Sequence, residues 1–356
     1  MKRGMFIIIA FTLVFTLSSL LVSAAEKQKV PITEEVLSAI HEEMLGPKDV
    51  FKGGDLLIGF SQRRLAGSEW YEQLLRVARN QAKWMGADII ILDADGDIQK
   101  QIADLESLIV KGVDAMILNP HHTEAVLPAV RKVHEAGIPL VVVNSELSQE
   151  GKPFCFVSAD VFNSGYKGGQ ELAKAVSKRW GIDQPVKGLI VSAYPATEES
   201  DLRRWGMVCG YTDYMLDKYA RTNLQIVDHR YGHWLPDITL PLVMDSLTAH
   251  PDLKVIMSVC DGTTHGVVGA LKTMDKLGEV LVCTIDGRKD VLEWIKEGDK
   301  GIVADSFNDP RLMGKWAVYF AAYAAMGYEV PDRFDTPNPC VTPENVDDYY
   351  DPESRF

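Results

Sequence analysis

The chain has 356 residues, 46% hydrophobic and 24% charged, without a low-complexity tract, the make-up of a globular protein with room for about two domains. A formal net charge of −13 argues against nucleic acid and against an anionic membrane surface as partners, and leaves the nature of any small ligand open.

The first 25 residues stand apart. Lys2 and Arg3 precede an apolar stretch from Met5 to Val22, and the small residues Ser23, Ala24 and Ala25 follow. That order is expected of a secretory signal peptide cleaved near residues 24–25. An uncleaved anchor is the alternative, since about 18 apolar residues just span a bilayer. The first cysteine is Cys155, so none is placed to carry a lipoprotein's lipid. The expectation is a soluble, exported protein. Five cysteines cannot all pair. They read as mostly buried free thiols, with a Cys260–Cys283 bridge as the alternative.

Residues 26–54 form a polar lead-in with one helix expected over 33–45, N-capped by Thr33, with Glu34 and Glu35 in its first turn. A strand over 55–60 ends at Ser61, a loop over 62–67 carries Arg63 and Arg64, and a helix opens near Ser68 and runs to Met85. Trp70 and Tyr71 lie in its first turn, facing the mouth of a sheet. From Gly86 to Asn144 one unit is then stated three times, as MGADIIILD, KGVDAMILNP and AGIPLVVVN. Each begins with a glycine that closes an amphipathic helix, passes through a short apolar run and ends on Asp93, Asn119 or Asn144. Runs this short and rich in Ile, Val and Leu are strands covered on both faces, and the repeat is the βαβ unit of a parallel sheet.

After a fifth strand over 153–158 the pattern restarts at Ala159-Asp160. Strands expected at 186–192, 224–228, 254–259, 280–285 and 301–304 alternate with helices around 166–180, 202–218, 236–249, 262–277 and 288–297. Their ends are again polar: Ser192, Asp228, Asp261, Asp286 and Asp305. A helix over 310–326 and an acidic, Pro-rich tail over 331–356 close the chain. Two α/β lobes, each with polar residues at the carboxyl ends of its strands, imply a ligand cleft between them. No metal or cofactor is expected. Asp93-Ala94-Asp95-Gly96-Asp97 lacks the glycine and glutamate positions of a calcium loop and reads as a turn, and His121-His122 reads as a polar loop at the cleft rim.

The ordered segments SADVFNSGYKGG, DLRRWGMVCGY, LTAHPDLKVIMSVCDGTTHGVVGAL, VCTIDGRKDVLEWIKEG and FNDPRLMG resemble those of the ribose- and galactose-type periplasmic sugar-binding proteins. The tail CVTPENVDDYY resembles the closing segment of members that bind sugars or polyols. The likeness covers about residues 55–350. It implies the type I periplasmic binding protein fold: α/β, two Rossmann-like lobes with parallel sheets joined by a three-strand hinge. The crossings would fall near 158–160, 306–309 and 335–340, giving a first lobe of 55–158 plus 309–335 and a second of 159–308 plus 336–356.

The resemblance further implies a ligand set of Ser61, Trp70, Tyr71, Asn144, Arg203, Trp234, Asp261, Asp286 and Asn308, and no catalytic residue. Trp70 and Tyr71 resemble the aromatic pair flanking a sugar ring, and Arg203 the guanidinium that forks onto adjacent hydroxyls. The residue types suit a sugar, whose vicinal hydroxyls both donate and accept and whose C–H faces stack on aromatic rings. Three departures stand out. Asn144-Ser145 replaces a common Asp-Arg pair, the loop carrying Arg63 and Arg64 is long, and Cys260 holds a position often given to Asn. They point away from plain ribose and toward another monosaccharide or a cyclic polyol such as inositol. The expected role is that of a monomeric, periplasmic solute-binding component of an ABC importer, delivering its ligand to the membrane permease. A secreted sensor presenting the sugar to a chemoreceptor or histidine kinase is the alternative. An α/β carbohydrate-active enzyme is disfavoured, because the chain has neither a G-x-S-x-G elbow nor a phosphate-binding loop.

Overall fold

The computed structural model describes residues 28–33, 44–51, 55–66, 68–195 and 197–356. The export segment at 1–25 and all but the ends of the helix expected over 33–45 lie outside the described residues. Among the described residues, twelve strands form two six-stranded sheets. The first sheet is built from β1 (Leu57–Gln62), β2 (Asp88–Asp93), β3 (Ala115–Asn119), β4 (Leu140–Val143), β5 (Cys155–Ala159) and β11 (Arg333–Thr336) in the spatial order β11-β5-β4-β3-β1-β2. The second contains β6 (Val186–Ser192), β7 (Leu224–Tyr231), β8 (Val255–Ser258), β9 (Leu281–Asp286), β10 (Ile302–Phe307) and β12 (Cys340–Val341) in the order β12-β10-β9-β8-β6-β7. All pairings are parallel except that of β10 with β12.

Alternation along the strands explains why both faces must be covered. Val141 and Val143 of β4 enter one core with Ile58 and Phe60, while Leu140 and Val142 enter the core on the opposite face. Helices α1 (Glu69–Met85) and α9 (Pro310–Ala325) cover the first face, and α2 (Ile98–Val110) with α3 (Leu127–Glu135) the second. In the second sheet α6 (Pro236–Ala249), α7 (Asp261–Thr273) and α8 (Lys289–Glu297) cover one face, and α4 (Val161–Trp180) with α5 (Glu198–Tyr219) the other. The local signals act as their chemistry requires. Ser68 caps α1 by accepting from the Tyr71 N–H, and Gly86 ends it at φ 81°, where a Cβ would stand 2.5 Å from the Phe51 carbonyl oxygen. Asp97 caps α2 through the N–H groups of Gln99 and Lys100, so the Asp93–Asp97 segment is a capped turn.

The chain passes between the sheets three times, from β5 into α4, from β10 into α9, and from β11 to β12. Strand ends differ from expectation where the ladder runs on. β7 reaches Tyr231, which makes Asp228 a mid-strand residue bound to Arg230 and Ser246, and β10 reaches Phe307. The lead-in docks on the first lobe. The Gln81 amide pairs with both the N–H and the C=O of Leu45, Trp84 Nε1 donates to the Gly46 carbonyl, and Tyr319 Oη donates to that of Pro31. All five cysteines are free. Among the described residues no helix is long and apolar enough to cross a membrane.

Candidate functional site

The carboxyl ends of the two sheets face each other across a cavity of about 310 Å³. Its second-lobe wall is set by α5 and β9. Glu199 and Arg203 lie four residues apart on α5, hence on one helical face. The Arg203 guanidinium is 3% exposed; its Nη1 donates to Asp286 Oδ1 at 3.0 Å and to the Val259 carbonyl at 2.9 Å, and Trp234 lies 5.5 Å beneath it. Asn308 Nδ2 donates to the same Asp286 oxygen at 3.2 Å. Two buried atoms in this wall have no hydrogen-bond partner: the donor Arg203 Nε and the acceptor Asn308 Oδ1. A buried polar group left so costs about 1–3 kcal/mol.

The first-lobe wall comes from the β1 loop, α1 and the end of β4. Trp70 and Tyr71 pack edge to face, and Trp70 Nε1 donates to the Asn308 carbonyl across the lobes. Arg63 folds back onto this wall. Its Nε donates to Tyr71 Oη at 2.5 Å, its Nη1 donates to Ser145 Oγ at 3.1 Å, and Glu199 of the second lobe is 3.9 Å away. Ser145 Oγ and Asn144 Nδ2 also donate to Glu199. Burial, the largest influence on the Tyr71 phenol, pushes it up, so it stays neutral. A second cross-lobe pair, Arg288 with Glu69 at 2.9 Å, lies on the same cavity. Three wall residues hold uncommon backbone conformations: Asn144 at φ 70°, Trp234 at φ 64° and Asp286 at φ 144°. Strain of this kind persists where the surrounding structure fixes a side chain's aim.

Of the residues expected from the sequence, Trp70, Tyr71, Asn144, Arg203, Trp234, Asp286 and Asn308 line the cavity. Ser61 and Asp261 do not. Because β1 runs on through Gln62, the strand mouth is at Arg63, and Ser61 is fully buried one pleat back. Asp261 is also fully buried, as a brace. Its carboxylate accepts from Thr284 Oγ1 at 2.8 Å and from the Arg288 N–H at 2.9 Å, and its own N–H points at Asp286 Oδ2 at 3.4 Å. Burial first, then the neighbouring Asp286, push its carboxyl up to about 7. Cys260 lines the cavity as a neutral thiol pushed up to about 12, chiefly by burial. Arg63, Glu199, His265, Arg288 and Phe356 line the cavity without having been expected there. The long loop flagged Arg63, and the four-residue spacing from Arg203 could have flagged Glu199. Nothing local in the sequence marks Phe356. Among the described residues no group of His, Cys, Asp and Glu is arranged to hold a metal ion.

The chain is similar to known proteins over most of its length. It is 28% identical to the ribose import binding protein of Bacillus subtilis over 283 residues, 80% of this chain and 86% of that one. It is 28% identical to the D-apiose import binding protein of Paraburkholderia graminis over 62% of this chain and 67% of that one. Among solved structures, an ABC transporter solute-binding protein of Mycobacterium smegmatis with bound glycerol superposes with a TM-score of 0.75 at 27% identity, covering 85% of this chain and 99% of that one. One of Bacillus halodurans with bound myo-inositol gives 0.73 at 25%, covering 84% and 99%. The family model described as the periplasmic binding protein domain matches residues 58–329, so two lobes, three crossings and a cavity at the facing strand ends are the features of a chain that belongs to the periplasmic binding protein family.

Proposed function

We propose that this chain is the exported solute-binding component of an ABC importer and that it encloses a monosaccharide or cyclic polyol between lobes 55–158 plus 309–335 and 159–308 plus 336–356. The observation that carries the reading is the wall of Arg203, Asp286 and Asn308, two of whose hydrogen bonds converge on one Asp286 oxygen, with Trp70, Tyr71 and Trp234 lining the same cavity. Ring hydroxyls can pair with the carboxylate, amide and guanidinium of this wall, and an apolar ligand cannot. Aromatic faces take the C–H surface of a ring. Arg63 supplies the first-lobe guanidinium that Ser145 does not, and it does so from the β1 loop. The relatives named for ribose and apiose import and the neighbour holding myo-inositol lie within this ligand class. Delivery to a membrane permease, export with cleavage near residues 24–25, and a monomeric state belong to the same reading.

Calorimetric titration of the purified protein with pentoses, hexoses and inositols tests it. Binding of one of them at micromolar concentration is expected, with loss in Arg203→Ala and Asp286→Ala. No binding across the panel, or affinity retained in both variants, sinks the proposal.

A further inference from the structure

The last residues of the chain tie the lobes together at a place other than the three crossings. From Val346 to Pro352 the tail belongs to the second lobe. Val346 enters its core, Tyr349 packs edge to face on Phe307, Tyr350 Oη donates to Glu293, and Lys289 Nζ donates to the Pro352 carbonyl at 3.0 Å. From Ser354 onward the partners change lobe. Arg311 Nη1, on α9, donates to Ser354 Oγ at 2.5 Å, and Gln73 Nε2, on α1, donates to the Arg355 carbonyl at 3.1 Å. The Phe356 ring lies 5.9 Å from the Arg311 guanidinium, is 4% exposed, and lines the cavity between the lobes. Ser354 Oγ donates in turn to the Phe356 main-chain oxygen at 2.6 Å, which fixes the end of the segment. Glu353 alone separates the two sets of anchors.

We propose that residues 351–356 form a strap across the flank of the cleft, seating Phe356 as a wall of the ligand cavity and holding the lobes closed. As a statement about ligand, this rests on the sugar-binding reading above. The physical argument is one of reach. One residue between anchors on opposite lobes gives no slack, so the cleft cannot widen on this flank while the Ser354 and Arg355 contacts hold. Opening must therefore lift the segment off α1 and α9 and take the Phe356 ring out of the wall. The strap thus acts on both ligand retention and the ligand-free balance between open and closed forms.

Two variants of the full chain separate the contacts: Phe356→Ala removes the wall, and Gln73→Ala combined with Ser354→Ala removes the anchors while keeping the ring. Small-angle scattering of the ligand-free proteins is expected to give a larger radius of gyration for both than for wild type. Stopped-flow release of D-allose or myo-inositol should be about tenfold faster or more, equivalent to about 1.4 kcal/mol. One scattering curve and one release rate shared by all three proteins, with unchanged melting temperature, would overturn the strap. If wild type takes up neither probe, the calorimetric panel decides the ligand reading and the scattering still decides the strap. If one variant does not fold, the other carries the test.

Discussion

The Arg203 guanidinium is buried beside carboxyls, groups whose charge depends on pH. Asp286 meets it directly, and behind Asp286 stand Asp261 and Asp305, both fully buried. Arg203 acts on Asp286 and Arg288 on Asp261, and burial is the first cause that raises the pKa of each of the three carboxyls. Arg203→Met should therefore act on two properties with different pH behaviour. Sugar affinity should fall by about a hundredfold or more, since a charge-assisted hydrogen bond is worth about 1.5–3 kcal/mol and the guanidinium offers several. Thermal stability should fall less at about pH 5, where Asp261 is protonated and the cluster carries less negative charge, than at about pH 8, where Asp286 loses the cation paired with it. Melting curves at the two pH values check this, and an equal loss at both would show that the pair does not govern the ionisation of the cluster. On the first lobe Arg63→Ala should weaken sugar binding by about tenfold, because it removes the guanidinium from Ser145 and Tyr71 and the partner of Glu199. Titration of Arg63→Ala, Glu199→Gln and the double variant measures whether the two act through one another.

At the scale of elements, α4 and α5 lie closer than two ordinary helices can, and four glycines allow it. A Cβ on Gly169 would sit 2.0 Å from the Met207 carbonyl oxygen, and one on Gly210 would sit 1.9 Å from that of Tyr166; Gly165 and Gly206 are equally tight against Arg203 and Phe162. The obstacle in each case is backbone, which no rotamer change relieves. Gly210→Ala should destabilise by about 1–3 kcal/mol as overpacking, read as a lower urea midpoint at unchanged m-value. Because α5 also carries Glu199 and Arg203, the same substitution should weaken sugar binding without touching the cavity. The elements themselves were legible because their signals are local: short continuous apolar runs, amphipathic helix patterns and glycines at helix ends. Within the candidate site, Trp70, Arg203 and Asp286 were legible through the resemblance to the sugar-binding family, whose ordered segments carry them. What sequence does not carry is where a ladder stops and what crosses the cleft. The extra residues of β1 withdrew Ser61, a buried Thr284 held Asp261 back, and Phe356 arrived from a tail whose anchors lie more than two hundred residues upstream, on α1, as well as on α9.

At the scale of the molecule, each sheet has its own cores and the lobes meet through a hinge, a few polar contacts and the tail, so ionic balance in one lobe bears on the whole. The Asp261, Asp286 and Asp305 cluster lies beside the second crossing, since β10 carries Asp305 and runs directly into it. Asp305 is the extreme member. Its Oδ1 accepts from the Gly287 N–H, its Oδ2 has no partner, and burial, then Asp261 and Asp286, hold it well above the usual carboxylate range. All three carboxyls have folded-state pKa values above their unfolded ones, so the folded chain holds more protons once the pH passes the ordinary aspartate value of about 3.9. The stability they lend is complete below that value and declines as pH rises toward and through about 7, where Asp261 ionises. His265 adds to the decline. Burial opposes its charge most strongly, but the bond to Asp290 raises it on balance. Asp290 works the other way. Burial opposes its ionisation, but bonds from His265 and Arg288 hold it well below the usual range, so its contribution is lost only on acidification beneath that range. The melting temperature should thus pass through a maximum at mildly acidic pH. Asp305→Asn should flatten the alkaline side, because an amide keeps the acceptor for Gly287 and has no proton to lose. Calorimetric scans of both proteins from about pH 4 to about pH 8 are expected to show curves that diverge as pH rises, with the variant the more stable at the alkaline end. Parallel curves would mean that Asp305 stays in one protonation state in both folded and unfolded chains and that the decline has another source.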